Sequence, residues 1–388
     1  MIINETKKIV SCDDFELEIK RDTELEYSIS YPSDIKPKAI VFIIPGCGGD
    51  TNNDYMNNLR EYVANTFSVV AVNVFYHCFY SRPENGATLS FDDFDINYLK
   101  AVIEKFKIDF SDVSEITKET ILKKLHEVDK EMTISMTLVP KKDEYQNFGV
   151  MQAIDHLNVL KELHKTFIDT HELPVVCFGS SHGGYIAQMM AKFAPNSISH
   201  VVDNSSYVRP ALHFILGKEI NVNRPEYTQY FDKLRVNCFV QTYWTLDANS
   251  PYCYSQDRDT IRDVSNLEHI KVMSNASQDK TQYTLYHSEH DTVALIQEKK
   301  ILCENLIANG YKVVLHTFSK EEDIDGKLIK NLKHGMDMSI KELINRELPS
   351  ILQSATSIQR REENLVMEYV CNTVTYSLDI QKSIYKIS

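Results

Sequence analysis

Continuous apolar runs alternate with predicted helices along most of the chain. The runs of strand length cover residues 39–44, 68–75, 175–178, 198–202, 283–286 and 311–317. Between them, helices are predicted at about residues 53–64, 148–166, 182–193 and 293–308. Strands that are apolar on both faces are typical of parallel sheets covered by helices on both sides. The pattern therefore predicts a doubly wound, mostly parallel α/β sheet.

The two ends of the chain show a different pattern. Residues 15–19 and 25–31 alternate apolar and polar side chains, which predicts two antiparallel, half-exposed strands at the N-terminus. Residues 365–370 and 373–378 predict two further strands within a C-terminal β extension of residues 356–388. We expect this extension to pack on the N-terminal hairpin or on a second subunit.

Two long stretches, residues 80–145 and 207–280, interrupt the alternation of strands and helices. They are predicted to be large insertions at the C-terminal side of the sheet, within one α/β domain of residues 1–355. The second stretch is rich in aromatic residues. These would either line a binding cleft or form the core of the insertion itself.

The most specific motif is Gly-x-Ser-x-Gly at residues 179–183, which directly follows an apolar run. In this motif a buried parallel strand ends in a sharp turn before a helix, and the serine hydroxyl is exposed at the edge of the sheet. The glycines leave the space that the turn needs. Ser181 is therefore the predicted nucleophile. The alternative is a tight strand-to-helix turn that contains an incidental serine.

A serine nucleophile needs a histidine base, and the histidine needs a carboxylate that fixes its tautomer. Asp291 follows a predicted strand and is the candidate acid, with a helix N-cap as its alternative role. Asp203 and Glu289 are the alternative acids. His334, in a loop after the last predicted strand of the sheet, is the candidate base.

Two backbone N–H groups are expected to bind the oxyanion of a tetrahedral intermediate. The residue after the nucleophile, His182, would supply one of them. The second is assigned to Cys47, with Gly48 as the alternative, because residues 45–49 form a glycine-rich segment after an early strand. A glycine-rich turn without a catalytic role is the other interpretation. The Cys47 thiol could also be read as a nucleophile, but it lacks an identifiable histidine partner.

Residues 179–185 and 45–49, together with Asp291 and His334, resemble the α/β-hydrolase superfamily, over about residues 39–352. The order Ser181, Asp291, His334 is the chain order of that superfamily. The resemblance implies cleavage of an acyl bond by water through an acyl-enzyme, without a metal or an organic cofactor.

The chain also resembles two narrower groups of proteins. The pair Gly184-Tyr185 is similar to the prolyl-oligopeptidase-like branch, although the large insertions and the lack of a recognisable propeller domain set this chain apart. The whole chain resembles an uncharacterised bacterial family found near flagellin-glycosylation genes. That second resemblance implies an acylated sugar or glycan precursor as the substrate.

Composition narrows the expected partners. The net charge of −13 disfavours nucleic acid and anionic membranes. No segment has the apolar length of a membrane span, and the first residues lack the apolar core of a signal peptide, so a cytoplasmic location is expected.

The eight cysteines contain no Cys-x-x-Cys pair, so we expect no disulfides and no zinc site. The sequence is compatible with either a monomer or a homo-oligomer.

The leading functional hypothesis is a carboxylesterase or deacylase that acts on a small-molecule or glycan acyl substrate. A serine peptidase that cleaves amides and an acyltransferase would use the same residues. A hypothesis from a different class is a binding protein that keeps the hydrolase architecture with the acid or the base out of place.

Overall fold

A computed structural model of the protein describes residues 1–47, 53–113, 115, 117–167, 172–354 and 365–388. The chain divides into two compact units. The first unit comprises Met1–Tyr76, Gly149–Pro210 and Ser255–Ser388, and the second comprises His77–Phe148 and Ala211–Tyr254. The stretches predicted to be insertions thus contribute most of one separate unit.

The strands in chain order are β1 (Ile2–Val10), β2 (Glu24–Pro32), β3 (Ile40–Ile44), β4 (Val70–Phe75), β5 (Thr88–Ser90), β6 (Met132–Val139), β7 (Val175–Ser180), β8 (His200–Asn204), β9 (Tyr227–Phe231), β10 (Leu234–Val240), β11 (Gln282–Ser288), β12 (Val313–Phe318), β13 (Val366–Cys371), β14 (Val374–Asp379) and β15 (Ile384–Ile387). The helices are α1 (Asn53–Phe67), α2 (Asp93–Phe106), α3 (Lys118–Glu127), α4 (Val150–Thr166), α5 (His182–Phe193), α6 (Leu212–Leu216), α7 (Lys218–Asn221), α8 (Gln256–Arg262), α9 (Leu267–Ala276), α10 (Ile296–Ala308) and α11 (Ile340–Ser354).

The main sheet of the first unit has the strand order β1-β2-β4-β3-β7-β8-β11-β12. The pairs β1/β2 and β2/β4 are antiparallel, and the remaining neighbours run parallel. The central strand β3 is buried along its whole length, as its continuous apolar run predicts. The predicted fold class, a mostly parallel α/β sheet with antiparallel N-terminal strands, is confirmed.

The prediction of a strand at residues 15–19 was wrong. The first strand is β1, which pairs with β2 from Ile2 opposite Pro32 onward. Residues 15–19 form a turn instead, since the Asp14 carboxylate accepts hydrogen bonds from the backbone N–H groups of Glu16 and Leu17 at 2.9 and 3.2 Å. A side chain that captures local amides in this way favours a turn over a strand.

The C-terminal strands β13, β14 and β15 form a three-stranded antiparallel sheet. This sheet packs on the N-terminal turn, because the ring of Phe15 lies 6.1 Å from that of Tyr376 and 5.5 Å from that of Tyr385. The two predicted strands correspond to β13 and β14. The third strand, β15, was not predicted.

The second unit has its own sheet, in the order β5-β6-β10-β9. Its parallel pair, β6 and β10, comes from the two separate chain segments of the unit. Apolar residues of both segments share one core, among them Leu125, Ile134, Met136, Val236 and Cys238. Because each segment supplies only part of this core, neither shows a complete strand and helix pattern by itself.

A buried ion pair in the first unit connects the N-terminal turn to α8. The guanidinium of Arg262 donates to both carboxylate oxygens of Glu16, at 2.9 and 2.6 Å, and the Tyr376 hydroxyl donates to the same carboxylate at 2.7 Å. Burial alone would raise the pKa of Glu16, but the charge and hydrogen bonds of Arg262 bring it below its ordinary value. The backbone carbonyl of Arg262 also accepts the hydroxyl of Tyr185 on α5, at 2.9 Å.

Replacing Arg262 with methionine should lower the free energy of unfolding by about 3–5 kcal/mol at neutral pH, because it removes the guanidinium that donates to both oxygens of the buried Glu16 carboxylate. The folded state lowers the pKa of Glu16. The stabilisation is therefore present above the ordinary carboxyl pKa and is lost as the pH falls through the lower, folded value. Urea unfolding at a series of pH values should show the wild-type and variant curves converging in acid. A difference that stays constant with pH would contradict this assignment.

Candidate active site

The turn at Ser181 joins the end of β7 to the start of α5. The backbone of Ser181 has φ 50° and ψ −115°. Residues other than glycine rarely adopt a positive φ, and the structure around such a residue must hold it in place. A strained serine between a parallel strand and a helix is the geometry of a nucleophile elbow.

Close packing requires glycine at three positions around this turn. A Cβ atom on Gly179 would lie 2.4 Å from the carbonyl oxygen of Gly183. A Cβ atom on Gly183 would lie 2.1 Å from the carbonyl oxygen of Ile44, and one on Gly184 would lie 2.1 Å from Oδ1 of Asp203. The glycines of the motif therefore let β3, β7 and α5 approach one another closely.

The side chains of Ser181, His334 and Asp291 form a continuous chain of hydrogen bonds. Ser181 Oγ lies 2.7 Å from His334 Nε2, and His334 Nδ1 lies 2.7 Å from Asp291 Oδ2. The Asp291 side chain is fully buried, whereas that of His334 is 24% exposed. The structure thus brings together the three residues that the sequence predicted as nucleophile, base and acid.

The two carboxylate oxygens of Asp291 have different partners. Oδ1 accepts hydrogen bonds from the backbone N–H groups of Val293 and Ala294 at 2.8 and 2.9 Å, while Oδ2 faces His334. Burial alone would raise the pKa of Asp291, but the hydrogen bonds from His334 and from these two amides lower it below its ordinary value. A turn-capping role and a role beside His334 are therefore compatible.

His334 begins an unusual turn, His334–Asp337. Gly335, Met336 and Asp337 all have positive φ, at 75°, 55° and 41°. The side chain of Met336 is fully buried in the core of the first unit, and its carbonyl oxygen accepts the N–H of Lys330 at 3.0 Å. Burial of Met336 thus helps to hold a strained turn in place. It therefore also helps to fix the position of the His334 imidazole.

The alternative acids lie in other environments. Asp203 is fully buried and pairs with Lys299 Nζ at 2.7 Å, which makes it part of a structural ion pair between β8 and α10. Glu289 is exposed and lies 3.5 Å from Lys300 Nζ. Both ring nitrogens of His334 are already hydrogen bonded to Ser181 and Asp291. Neither alternative carboxylate therefore takes the place of Asp291.

Two other histidines near the candidate triad are buried. The ring of His182 bonds to Gln152 Oε1 at 2.7 Å and to the hydroxyl of Tyr207, and burial lowers its pKa to about 3. His287 donates from Nε2 to the carbonyl oxygen of Ala294 at 2.7 Å, and burial lowers its pKa as well. Both rings are therefore neutral at physiological pH, and His287 supports the loop that carries Asp291.

The predicted oxyanion donors lie around the same turn. His182 is the first residue of α5, so its N–H belongs to the positive end of that helix. The segment before Cys47 packs against the nucleophile turn, since a Cβ on Gly46 would lie 2.9 Å from the carbonyl oxygen of Ser180 and 3.2 Å from Ser181 Cβ. Cys47 itself is exposed. Gly48, the alternative donor, lies outside the described residues.

Asn204, the last residue of β8, was not predicted from the sequence. Its side-chain amide donates hydrogen bonds to Ser180 Oγ at 3.1 Å and to the carbonyl oxygen of Gly335 at 3.0 Å. The only available signal was a polar residue at the end of a buried strand, next to the candidate Asp203. That signal does not distinguish the two side chains.

Among the residues that the structure describes, no helix is long and apolar enough to cross a membrane. Within the same part of the chain, no cluster of three or more His, Cys, Asp or Glu side chains is arranged to hold a metal ion.

Replacing Gly183 with alanine should lower the free energy of unfolding by about 3 kcal/mol or more, because the added methyl group would lie 2.1 Å from the carbonyl oxygen of Ile44, at the end of the buried strand β3. Gly326 is the matched control. Its φ is +70°, with nothing within 4 Å of an added Cβ, so alanine there should cost about 1 kcal/mol from backbone strain alone. Urea unfolding of both variants measures the difference, and equal losses would contradict the steric account of the turn.

Comparisons with known proteins find solved structures that are similar to this chain at low sequence identity. Similar solved structures include an acylaminoacyl peptidase from Pyrococcus horikoshii, with 12% identity and a TM-score of 0.48, matched over 94% of this chain and 43% of the peptidase. A putative dienelactone hydrolase from Klebsiella pneumoniae subsp. pneumoniae MGH 78578 has 11% identity and a TM-score of 0.44, over 91% of this chain and 99% of that one. Thermogutta terrifontis esterase 2 has 12% identity and a TM-score of 0.44, over 90% and 94%.

This chain spans less than half the length of the peptidase. At these levels of similarity, none of the three proteins says which reaction this chain performs. No curated protein sequence matches significantly. The family described as "Protein of unknown function (DUF2920)" matches residues 5–387. The protein therefore belongs to the DUF2920 family.

Proposed function

We propose that this protein is a serine hydrolase that cleaves an acyl ester through Ser181, His334 and Asp291. The observation that carries the proposal is the pair of 2.7 Å hydrogen bonds that links the three side chains. It is supported by the positive φ of Ser181, which strains the backbone at the reacting residue. A binding protein would have no evident need for this combination.

In the first half of the reaction, Ser181 Oγ attacks the carbonyl carbon of the substrate and its proton passes to His334 Nε2. The ionised Asp291 stabilises the imidazolium that results. The N–H groups of His182 and Cys47 donate to the oxyanion of the tetrahedral intermediate. When the intermediate collapses, the C–O bond to the leaving alcohol breaks, the alcohol takes the proton from His334, and an acyl-Ser181 ester remains.

In the second half, a water molecule gives a proton to His334 and its oxygen attacks the acyl carbon. Collapse of the second tetrahedral intermediate releases a carboxylic acid and returns the proton to Ser181. Residues of the chain carry every proton in this cycle, so the proposed reaction uses no metal or organic cofactor.

The proposed substrate class is an acyl ester, as for a carboxylesterase or a deacylase. The sequence resemblance makes acylated sugars and glycan precursors the first natural substrates to test. A panel of short acyl esters, acylated sugars and aminoacyl or prolyl amides ranks these classes by kcat/KM. Activity on the amides without activity on the esters would favour the peptidase hypothesis instead.

Substitutions in the triad should reduce hydrolysis of a chromogenic short-chain acyl ester to different extents. Ser181→Ala and His334→Ala should each lower kcat by roughly 10⁶-fold, since the nucleophile and its base act as a unit. Asp291→Asn should lower it by roughly 10⁴-fold, because the amide disfavours the reactive tautomer of His334.

Glu289→Gln is the control for the acid, because it alters an exposed carboxylate beside Lys300 and should leave kcat within about twofold. Steady-state kinetics on the purified variants measure these effects. A His334→Ala variant with wild-type kcat would exclude His334 as the base.

Replacing Cys47 with proline tests the oxyanion donor, because proline has no backbone N–H. Cys47→Pro should lower kcat by about 10²–10³-fold, the usual cost of one lost donor. Cys47→Ala keeps the N–H and should retain activity, which also tests the thiol as a nucleophile. If Cys47→Pro keeps full activity while folded, the second donor is a different residue.

A further inference from the structure

We propose that Asn204 is a positioning residue that fixes His334 relative to Ser181. This inference rests on the proposed function, because it concerns how the hydrogen bond between Ser181 and His334 is maintained. The position of Asn204 in the sheet is its first support. β8 lies between β7, which leads to Ser181, and β11, which leads to Asp291. In that register Asn204 pairs with Ser180 on one side and with Tyr286 on the other.

The hydrogen bonds of Asn204 connect the nucleophile turn and the histidine turn. Its backbone carbonyl accepts the N–H of Ser181 at 2.7 Å. Its side-chain nitrogen donates to Ser180 Oγ at 3.1 Å and to the carbonyl oxygen of Gly335 at 3.0 Å. Gly335 directly follows His334. One residue thus bonds to the nucleophile itself and to the neighbours of both the nucleophile and the base.

The chemistry of the partners fixes the orientation of the Asn204 amide. A backbone carbonyl such as that of Gly335 can only accept, so the amide nitrogen must face it. The remaining side-chain oxygen accepts the hydroxyl of Ser205 at 2.9 Å. The residue is 2% exposed, and each polar atom of its side chain has a partner. A side chain without a donor would leave the Gly335 carbonyl without this bond.

The histidine turn depends on such an anchor because its backbone is strained. Three successive residues after His334 have positive φ, at a cost of roughly 1–3 kcal/mol for each one that is not glycine. Burial of Met336 holds one end of the turn, and the bond from Asn204 holds the carbonyl next to His334. A shift of about 1 Å in the imidazole is enough to slow catalysis by about 10²-fold.

The test compares Asn204→Leu with the wild-type protein in the rate at which a fluorophosphonate phosphonylates Ser181. Leucine is close in shape but has no donor. We expect phosphonylation to slow by roughly 10- to 100-fold, while the labelled residue stays the same. Asn204→Ala serves if the leucine variant does not fold. Asn305→Leu is the matched control, because the Asn305 amide donates to the Ser265 carbonyl at 2.8 Å and bonds to no triad residue.

A purely structural role is distinguished by repeating the comparison in a His334→Ala background. If Asn204 acts through His334, Asn204→Leu should change the slow residual labelling there by less than about twofold. An equal loss in both backgrounds, or an unchanged rate in the protein that retains His334, would overturn the inference. A folded wild-type protein that is not labelled at Ser181 would overturn the proposed function, and this inference with it.

Discussion

The lack of space around the turn at Ser181 is the constraint on which the rest of the site depends. Ser181 has a positive φ, and a side chain on Gly183 would collide with the backbone at the end of β3. The same packing brings Gly46 against Ser180, and so places the segment that carries Cys47 beside Ser181. A steric requirement of the backbone thus positions both the hydroxyl and a candidate oxyanion donor.

The other parts of the candidate site come from the same edge of the sheet, where the carboxyl ends of the parallel strands meet. Asp291 follows β11, and one of its oxygens organises its own loop while the other faces His334. His334 lies in a turn that is held by the buried Met336 and by Asn204 at the end of β8. Each side chain of the candidate triad is therefore held by neighbouring groups outside the triad, as a preorganised active site requires.

The sequence allowed the sheet and the three triad candidates to be predicted because both leave local patterns. Continuous apolar runs follow from burial on two faces, and the glycines of the motif follow from the steric demands of a turn. The strand predicted at residues 15–19 failed because Asp14 captures the local amides. The second unit was not recognised because its core is shared between two chain segments. Asn204 was missed because its partners Ser180 and Gly335 lie 24 and 131 residues away.

The most direct test of the central claim is to treat the purified protein with a fluorophosphonate and to map the modified residue by mass spectrometry, beside a His334→Ala variant. The account predicts one adduct, on Ser181, that forms rapidly in the wild-type protein and very slowly without His334. A folded wild-type protein that forms no adduct, or an adduct on Ser180 or Cys47, would contradict it.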